Sequence, residues 1–390
     1  MNVELVEKIA DAVLYEGYIL YPYRPSAVKN RQRFNFGVLV PPAYSEAQRG
    51  TESWSMQTEC LALGDHLTTL NVKARFLHLL AREVSELRQP LVEGPESAEP
   101  EFHVVPSLEA GGRIFQTWQE AVEREINQSA LNLDDLLSRP LRFIFSFPAK
   151  QVFEPLSDAS GAVFGGIVRR QEFIEGAVEL RVADCGLRSE KIINTLINKN
   201  NPQSAIHNPQ SARLYKITVR ILNLTPFEHA EQKSRDEALL QSLASAHTIL
   251  GVQAGEFVSL LDPPEEFKEA AASCANQGTW PVLAGEAGAS DLMLSSPIIL
   301  YDYPQIAPES AGDLCDGAEI DEILLLRILT LTEEEKREMR SADDRARQIL
   351  ERTEQLSPEQ LMKLHGVVRS LRPVEQSDSD ERMGMAFAGR

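Results

Sequence analysis

The fold class is decided by the stretch Arg213-Leu-Tyr-Lys-Ile-Thr-Val-Arg-Ile-Leu-Asn-Leu224. Its apolar side chains occupy the odd positions from 215 to 221 and alternate with Lys216, Thr218 and Arg220. A period of two predicts a strand with one buried and one solvated face, which is typical of antiparallel sheets. Residues 161–171 and 176–184 precede it with strand-like composition. We therefore expect an antiparallel, sandwich-like sheet in this part of the chain.

The N-terminal part predicts one helix followed by strands and loops. Apolar residues recur at helical spacing across residues 3–15, while residues 18–21 and 34–40 are rich in strand formers. Residues 43–58 are polar and predict a surface loop that exposes Trp54 and Met56. Strands are predicted over 60–63 and 70–84, although residues 76–80 suit a helix nearly as well. The composition of residues 92–100 is that of a linker.

Helical patterns return further along the chain. Residues 236–250 fit a helix, whereas 251–261 and 294–303 predict strands. Thr332 and Glu335 have the spacing of a capping box, in which each side chain bonds the other residue's backbone N–H. This spacing and the pattern that follows predict three consecutive helices, over residues 333–340, 342–355 and 358–371.

Together these patterns predict an α+β protein with two β-rich domains, mainly antiparallel, and a C-terminal helical unit. A chain of 390 residues is long for a single hydrophobic core, which favours more than one unit. The expected units are an α+β domain over 1–150, a β-rich domain over 151–315, a helical unit over 316–373, and a disordered tail over 374–390.

The composition bounds the function and the compartment. A net charge of −19 opposes general binding to nucleic acid, because phosphate neutralisation needs a basic face. The four cysteines form no CxxC pair, which favours reduced thiols in the cytoplasm. The first residues are acidic where a secretory signal is basic, and no apolar run is long enough to span a membrane. We expect a cytoplasmic protein that binds neither nucleic acid nor membrane.

The first candidate site is the loop over residues 18–37, which concentrates bases and aromatic rings in an acidic chain. Guanidinium groups bind carboxylates and phosphates through paired hydrogen bonds, and aromatic faces accept cations. The alternative is a solvated hairpin whose aromatic side chains belong to the core. The predicted binding residues, including Trp54 from the following loop, are Tyr21, Tyr23, Arg24, Lys29, Arg31, Arg33 and Trp54.

The second candidate is an acidic run over residues 309–322, in which Asp313, Asp316 and Glu319 are the candidate metal ligands. Carboxylates suit a hard cation such as Mg²⁺ or Ca²⁺, but the spacing is not that of an EF-hand loop. The alternative is a solvated acidic loop. Motifs of the forms GxGxxG and GxxxxGK are absent from the sequence, which argues against dinucleotide and P-loop binding. We therefore expect no cofactor.

Five segments of the chain also resemble those of a known family. They are Leu14-Tyr-Glu-Gly-Tyr-Ile-Leu-Tyr-Pro-Tyr-Arg-Pro-Ser-Ala-Val-Lys-Asn-Arg-Gln-Arg33, Met56-Gln-Thr-Glu-Cys60, Ser296-Pro-Ile-Ile-Leu-Tyr-Asp302, Ile306-Ala-Pro-Glu-Ser310 and Asp321-Glu-Ile-Leu324. On these segments the chain resembles a family of bacterial proteins without an assigned activity that are often encoded beside NiFe hydrogenase genes. The resemblance spans most of the chain and transfers no catalytic residue.

The resemblance implies an accessory role in the assembly, maturation or docking of a metalloenzyme. We therefore expect a non-catalytic interaction protein whose partner is a hydrogenase subunit or a maturation factor. One alternative is a metal-dependent hydrolase that uses the carboxylates of residues 309–322. The other is anion or nucleotide binding by the loop over residues 24–33 alone.

Overall fold

A computed structural model describes the chain from Val3 to Gln355 with gaps, over residues 3–14, 36–87, 102–110, 113–158, 160–186, 206, 211–305, 328–342 and 344–355. The helices in these ranges are α1 (Val3–Leu14), α2 (Pro42–Ala47), α3 (Leu133–Ser138), α4 (Arg235–Leu239), α5 (Lys268–Ala272), α6 (Glu333–Ala342) and α7 (Asp344–Gln355). The strands are β1 (Ser55–Leu87), β2 (Phe102–Val105), β3 (Ser107–Ala110), β4 (Arg113–Gln116), β5 (Trp118–Asn132), β6 (Leu141–Phe147), β7 (Lys150–Ser157), β8 (Val163–Gln171), β9 (Ile174–Asp184), β10 (Arg213–Asn223), β11 (Ala244–Val258), β12 (Trp280–Ala284) and β13 (Leu292–Ser296).

Strand β1 organises the fold, because its 33 residues pair antiparallel with five other strands. Strands β10, β5 and β2 follow one another along one of its edges, and β11 and β8 along the other. The register of β1 against β11 shifts between Gly64 and Thr69. Such a bulge adds residues to one strand, bends it and increases its twist.

The described strands confirm an α+β fold with a mainly antiparallel sheet. Eleven of them form one sheet, in which the longest path runs β12, β13, β11, β1, β10, β9 and β6, and β3 pairs with β4 apart from it. The predicted domain boundary near residue 150 falls inside this sheet, because β1 pairs with strands on both sides of that position.

The core lies between two layers of this sheet. Phe76, in the second half of β1, stacks on Phe145 of β6 with ring centroids 5.5 Å apart. These strands are separated by β10 and β9 within the sheet, so the sheet must curl to bring the rings together. Apolar residues from β1, β6, β9, β10 and β11 fill the space enclosed. Because one face of β10 and of its neighbour β9 lines this core, buried and more exposed side chains alternate along both strands.

Helix α1 confirms the helix predicted over residues 3–15 and packs on the sheet through two kinds of contact. Val6, Ile9 and Ala10 are buried against β11, β12 and β13. Its acidic face pairs with β1, where Asp11 lies 2.7 Å from the buried guanidinium of Arg75. Lys73 pairs in the same way with Glu7. The polar face of this helix is therefore directed at bases of the sheet.

Several local predictions are wrong. Residues 43–58 include α2 and the start of β1, and Met56 is buried because it faces the core of that strand. The helix predicted over 236–250 ends at Leu239, and β11 begins at Ala244. The strand predicted over 294–303 ends at Ser296, and residues 34–40 contribute only a bridge at Leu39 among their described members.

The C-terminal helices α6 and α7 confirm the first two of the three predicted there. The Thr332 backbone N–H donates to Glu335 at 2.8 Å, and the Glu335 N–H donates to the Thr332 hydroxyl at 3.3 Å, as in a capping box. Met339 and Leu350 are buried against β1 and β5. The third helix, the linker at 92–100 and the tail at 374–390 lie outside the described residues. A membrane-spanning helix is not found among the helices described.

Candidate functional site

A groove crosses the solvent face of β1, β10, β9 and β6. It has a volume of about 380 Å³. Strand alternation places its polar side chains on the face opposite the core, since their sequence neighbours are the buried apolar residues. The lining residues are Gln57, Glu59, Pro140, Leu141, Arg142, Glu179, Leu180, Arg181, Thr218 and Arg220.

The register of the four strands sets these side chains in two rows. Gln57 lies opposite Arg220, and Arg220 lies opposite Glu179. Glu179 in turn lies opposite Arg142 of β6. In the second row, Thr218 lies between Glu59 and Arg181. Directly opposed residues on one face interact, so each row is a continuous strip of polar groups across the sheet.

Glu179 holds two of the three arginines in the groove. Its carboxylate lies 3.4 Å from the guanidinium of Arg142 and 3.1 Å from that of Arg220. These side chains are 50% and 39% exposed, so the pairs contribute little to stability. Their effect is on position, since a guanidinium has five N–H donors and one carboxylate occupies only some of them. The remaining donors stay available to a ligand.

Glu59 closes one side of the groove. Its side chain is 13% exposed and lies 3.3 Å from the ammonium of Lys216. It also accepts hydrogen bonds from the Thr218 hydroxyl at 3.2 Å and from the Ala275 backbone N–H at 2.8 Å. Its charge is thus satisfied by neighbouring groups. The loop after α5 is held to β1 by the same contacts and by a hydrogen bond from the Gln57 amide to the Ala275 carbonyl at 2.9 Å.

Among the described residues, Arg181 is the base of the groove without an acidic partner. It is exposed, and no carboxylate lies within ion-pair distance of it in the described ranges. Three guanidinium groups against two carboxylates leave the groove with a positive charge, although the whole chain has a net charge of −19. Arginine recognises carboxylates and phosphates through paired hydrogen bonds. The groove therefore has the chemistry to bind an anionic group.

Thiol chemistry has little support in the structure. Burial raises the pKa of Cys60 and Cys185, and it raises the pKa of Cys274 to about 11. A thiol whose pKa is raised stays protonated at neutral pH and is a poor nucleophile. Within the described ranges, no three residues of the His, Cys, Asp and Glu types are grouped so as to hold a metal ion.

Most residues of the two predicted sites lie outside the part of the chain that the structure describes. This applies to the binding residues Tyr21, Tyr23, Arg24, Lys29, Arg31 and Arg33 and to the metal ligands Asp313, Asp316 and Glu319. Those two sites remain predictions. Trp54 is described, is half-buried rather than exposed, and accepts a hydrogen bond from the Asn223 N–H through its carbonyl at 2.9 Å. It is not among the residues that line the groove.

Sequence reasoning missed the groove, although it identified one of its sides. The alternation of Thr218 and Arg220 with buried residues indicated a solvated face. What it lacked was the register that places Glu179 and Arg142 beside Arg220. The sequence signal that could have indicated the groove is the presence of basic residues on the solvated faces of neighbouring predicted strands.

Comparison with known proteins adds no family. No protein-family model matches the chain, and no curated protein matches it. Among solved structures, a chain of "Near-atomic resolution cryo-EM structure of the Salmonella SPI-1 type III secretion injectisome secretin InvG" has 8% identity, with 47% of this chain and 68% of that chain covered. Its TM-score of 0.07 is too low to support a shared fold. The functional proposal therefore rests on the groove.

Proposed function

We propose that this protein is a non-catalytic binding protein that holds an acidic partner in the groove across β1, β10, β9 and β6. The observation that supports the proposal most directly is Arg181, an exposed arginine that lacks an acidic partner among the described residues. Arg142 and Arg220 lie in the neighbouring row on either side of Glu179, which pairs with both. A carboxylate that enters the groove meets three guanidinium groups, two of which are already restricted by Glu179, and this restriction lowers the entropic cost of binding.

The biological setting of this proposal is an accessory role in the cytoplasm. The resemblance to proteins encoded beside NiFe hydrogenase genes supports a hydrogenase subunit or maturation factor as the partner. The described cysteines Cys60, Cys185 and Cys274 are free thiols, which is consistent with a reducing compartment. Affinity purification of the full chain from a hydrogenase-producing bacterium tests the setting. Recovery of neither a hydrogenase subunit nor a maturation factor would contradict it.

The groove itself is tested by reversing the charge of Arg181. We expect the full chain to bind a hexaglutamate peptide at low ionic strength and Arg181→Glu to weaken that binding by about tenfold or more, since a charge-assisted hydrogen bond contributes about 1.5–3 kcal/mol. Isothermal titration calorimetry measures the difference. The fold should tolerate the change, because Arg181 is exposed.

Arg49→Glu is the matched control for this experiment. Arg49 is also exposed and lies outside the groove, and the substitution changes the net charge by the same amount. Its positive φ of 56° strains either residue equally, since both have a Cβ atom. If the two variants lose affinity equally, the effect comes from overall charge and the groove is not the site. If the wild type does not bind the peptide at millimolar concentration, the proposal also fails.

A further inference from the structure

Strand β6 forms one end of the sheet beside the groove. It pairs along its whole length with β9, from Leu141 opposite Leu180 to Phe147 opposite Ile174. Within the described part of the chain, no strand pairs with its other edge. Alternate residues of an edge strand direct their N–H and C=O groups away from the sheet, where a further strand can bond to them. The outer edge of β6 is therefore a template for an added strand.

The side chains of β6 hold this edge rigid and leave its outer face accessible. Phe145 and Phe147 point inward, and both rings contact Phe76 of β1. Between the exposed residues Arg142 and Ser146, Ile144 is 66% exposed, which is unusual for an isoleucine in a regular strand. Because β6 is already ordered by Phe145 and Phe147, only the added segment would lose conformational entropy on binding.

The other end of the path through the sheet is closed. At β12, the Leu283 N–H donates to the Asp302 carboxylate at 2.8 Å, and the Leu283 carbonyl accepts from the Tyr303 N–H at 2.7 Å. The following chain thus occupies the edge of β12. Strand β7 has an open edge among the described residues, but it does not line the groove. Only β6 combines an open edge with the positive groove in this part of the chain.

We infer that the acidic partner binds as an extended polypeptide segment that adds to the outer edge of β6 as a further strand. This inference rests on the proposed function of the groove and specifies the form of the ligand. In the added strand, side chains directly opposite Arg142 and Ile144 lie about 5 Å from them between Cβ atoms. A carboxylate opposite Arg142 pairs with it, the methylene groups of a glutamate opposite Ile144 cover that side chain, and the residues beyond Leu141 enter the groove toward Arg181.

Charge favours a different protein over a second copy of this chain as the occupant. A second copy has the same net charge of −19, and its own β6 contains no carboxylate that could pair with Arg142. An acidic segment of another protein supplies backbone groups for the edge and carboxylates for the arginines. Self-association through β6 is an outcome that the experiment below detects.

The test uses a synthetic octapeptide of alternating glutamate and valine with the full-length protein. All glutamate N–H groups lie on one edge of this extended peptide and all valine N–H groups on the other. Only one edge of the peptide bonds to β6, and N-methylation removes the N–H donors of the methylated residues. Methylation of the residue type on the bonded edge should therefore weaken binding at least tenfold, whereas methylation of the other type should change binding little. Amide hydrogen exchange should slow within residues 141–147 when the unmodified peptide binds.

The outcomes separate this inference from the proposed function. If both methylated peptides bind like the unmodified one while Arg181→Glu still weakens binding, strand addition is wrong and the groove remains the site. If amide hydrogen exchange slows across residues 141–147 but Arg181→Glu does not weaken peptide binding, strand addition is supported and the groove is not the site. If sedimentation shows a dimer that dissociates when the peptide is added, the occupant of the β6 edge is a second copy of this chain and the acidic partner is wrong. If the unmodified peptide does not bind, strand addition is wrong.

Discussion

Replacing Phe76 with alanine should lower the free energy of unfolding by about 3–5 kcal/mol, the range for removing a fully buried aromatic side chain. Phe76 is 0% exposed and contacts Phe145 and Phe147 with ring centroids 5.5 and 6.2 Å away. Alanine would leave a cavity between the two layers of the sheet, and Phe145 and Phe147 would lose their contact with the Phe76 ring. Urea unfolding followed by fluorescence and circular dichroism measures the change.

Phe36→Ala is the control, because it removes the same atoms from a side chain that is 40% exposed. Its cost should be clearly smaller, since less apolar area returns to water. An equal loss of stability in the two variants would show that Phe76 does not join the layers. Loosening of β6 should also reduce binding of the glutamate and valine peptide to Phe76→Ala, because the edge would no longer be held in place.

Acidification between pH 6.5 and about pH 4 should destabilise the protein by roughly 3 kcal/mol for each of two buried histidines. Burial lowers the pKa of His78 to about 4, helped by the positive charge of Arg124. It lowers the pKa of His247 to about 4, with a smaller contribution from Arg75. Below pH 6.5 the unfolded chain binds protons at these positions while the folded chain does not. The contribution of these two histidines to the free energy of unfolding is therefore fully present above pH 6.5 and is lost as the pH falls toward 4.

His78→Leu tests this account through the slope of stability against pH. Both ring nitrogens of His78 are buried, and backbone groups of Glu172 and Leu240 lie near the ring without meeting full hydrogen-bond geometry. An apolar side chain should therefore be tolerated at pH 7.5. About half of the histidine contribution to the slope should disappear. His66→Gln changes an exposed histidine and should leave the slope as it is. An unchanged slope in His78→Leu would mean that acid acts through other groups.

Local pattern predicted the strands that have one buried and one solvated face. The alternation around Ile217 and Val219 identified β10 nearly to its last residue, and strand-like composition identified most of β9. It failed in β11, where residues 244–252 are buried on both faces and the period of two vanishes. Leu239, Leu240 and Leu243 then matched a helical spacing that the chain follows only as far as Leu239.

The groove could not be derived from local pattern, because its chemistry depends on distant pairings. Gln57 and Arg220 lie opposite each other although more than a hundred and sixty residues separate them in the sequence. Register between strands follows from the packing of the whole sheet, and a slip of one residue would direct Arg220 into the core. The sequence predicted bases on a solvated face, and the fold determines which carboxylates and arginines meet there.

The length of β1 has a consequence for synthesis on the ribosome. Its partners β10 and β11 end at Asn223 and Val258, long after β1 itself ends at Leu87. At about 5–20 residues per second, β1 emerges about 10–30 seconds before its partner β11 is complete. During that interval a strand rich in leucine has open edges, which is a hazard for aggregation. Lys73, Arg75 and Arg82 interrupt its apolar run, so the charges that later anchor α1 and β5 also protect the nascent strand.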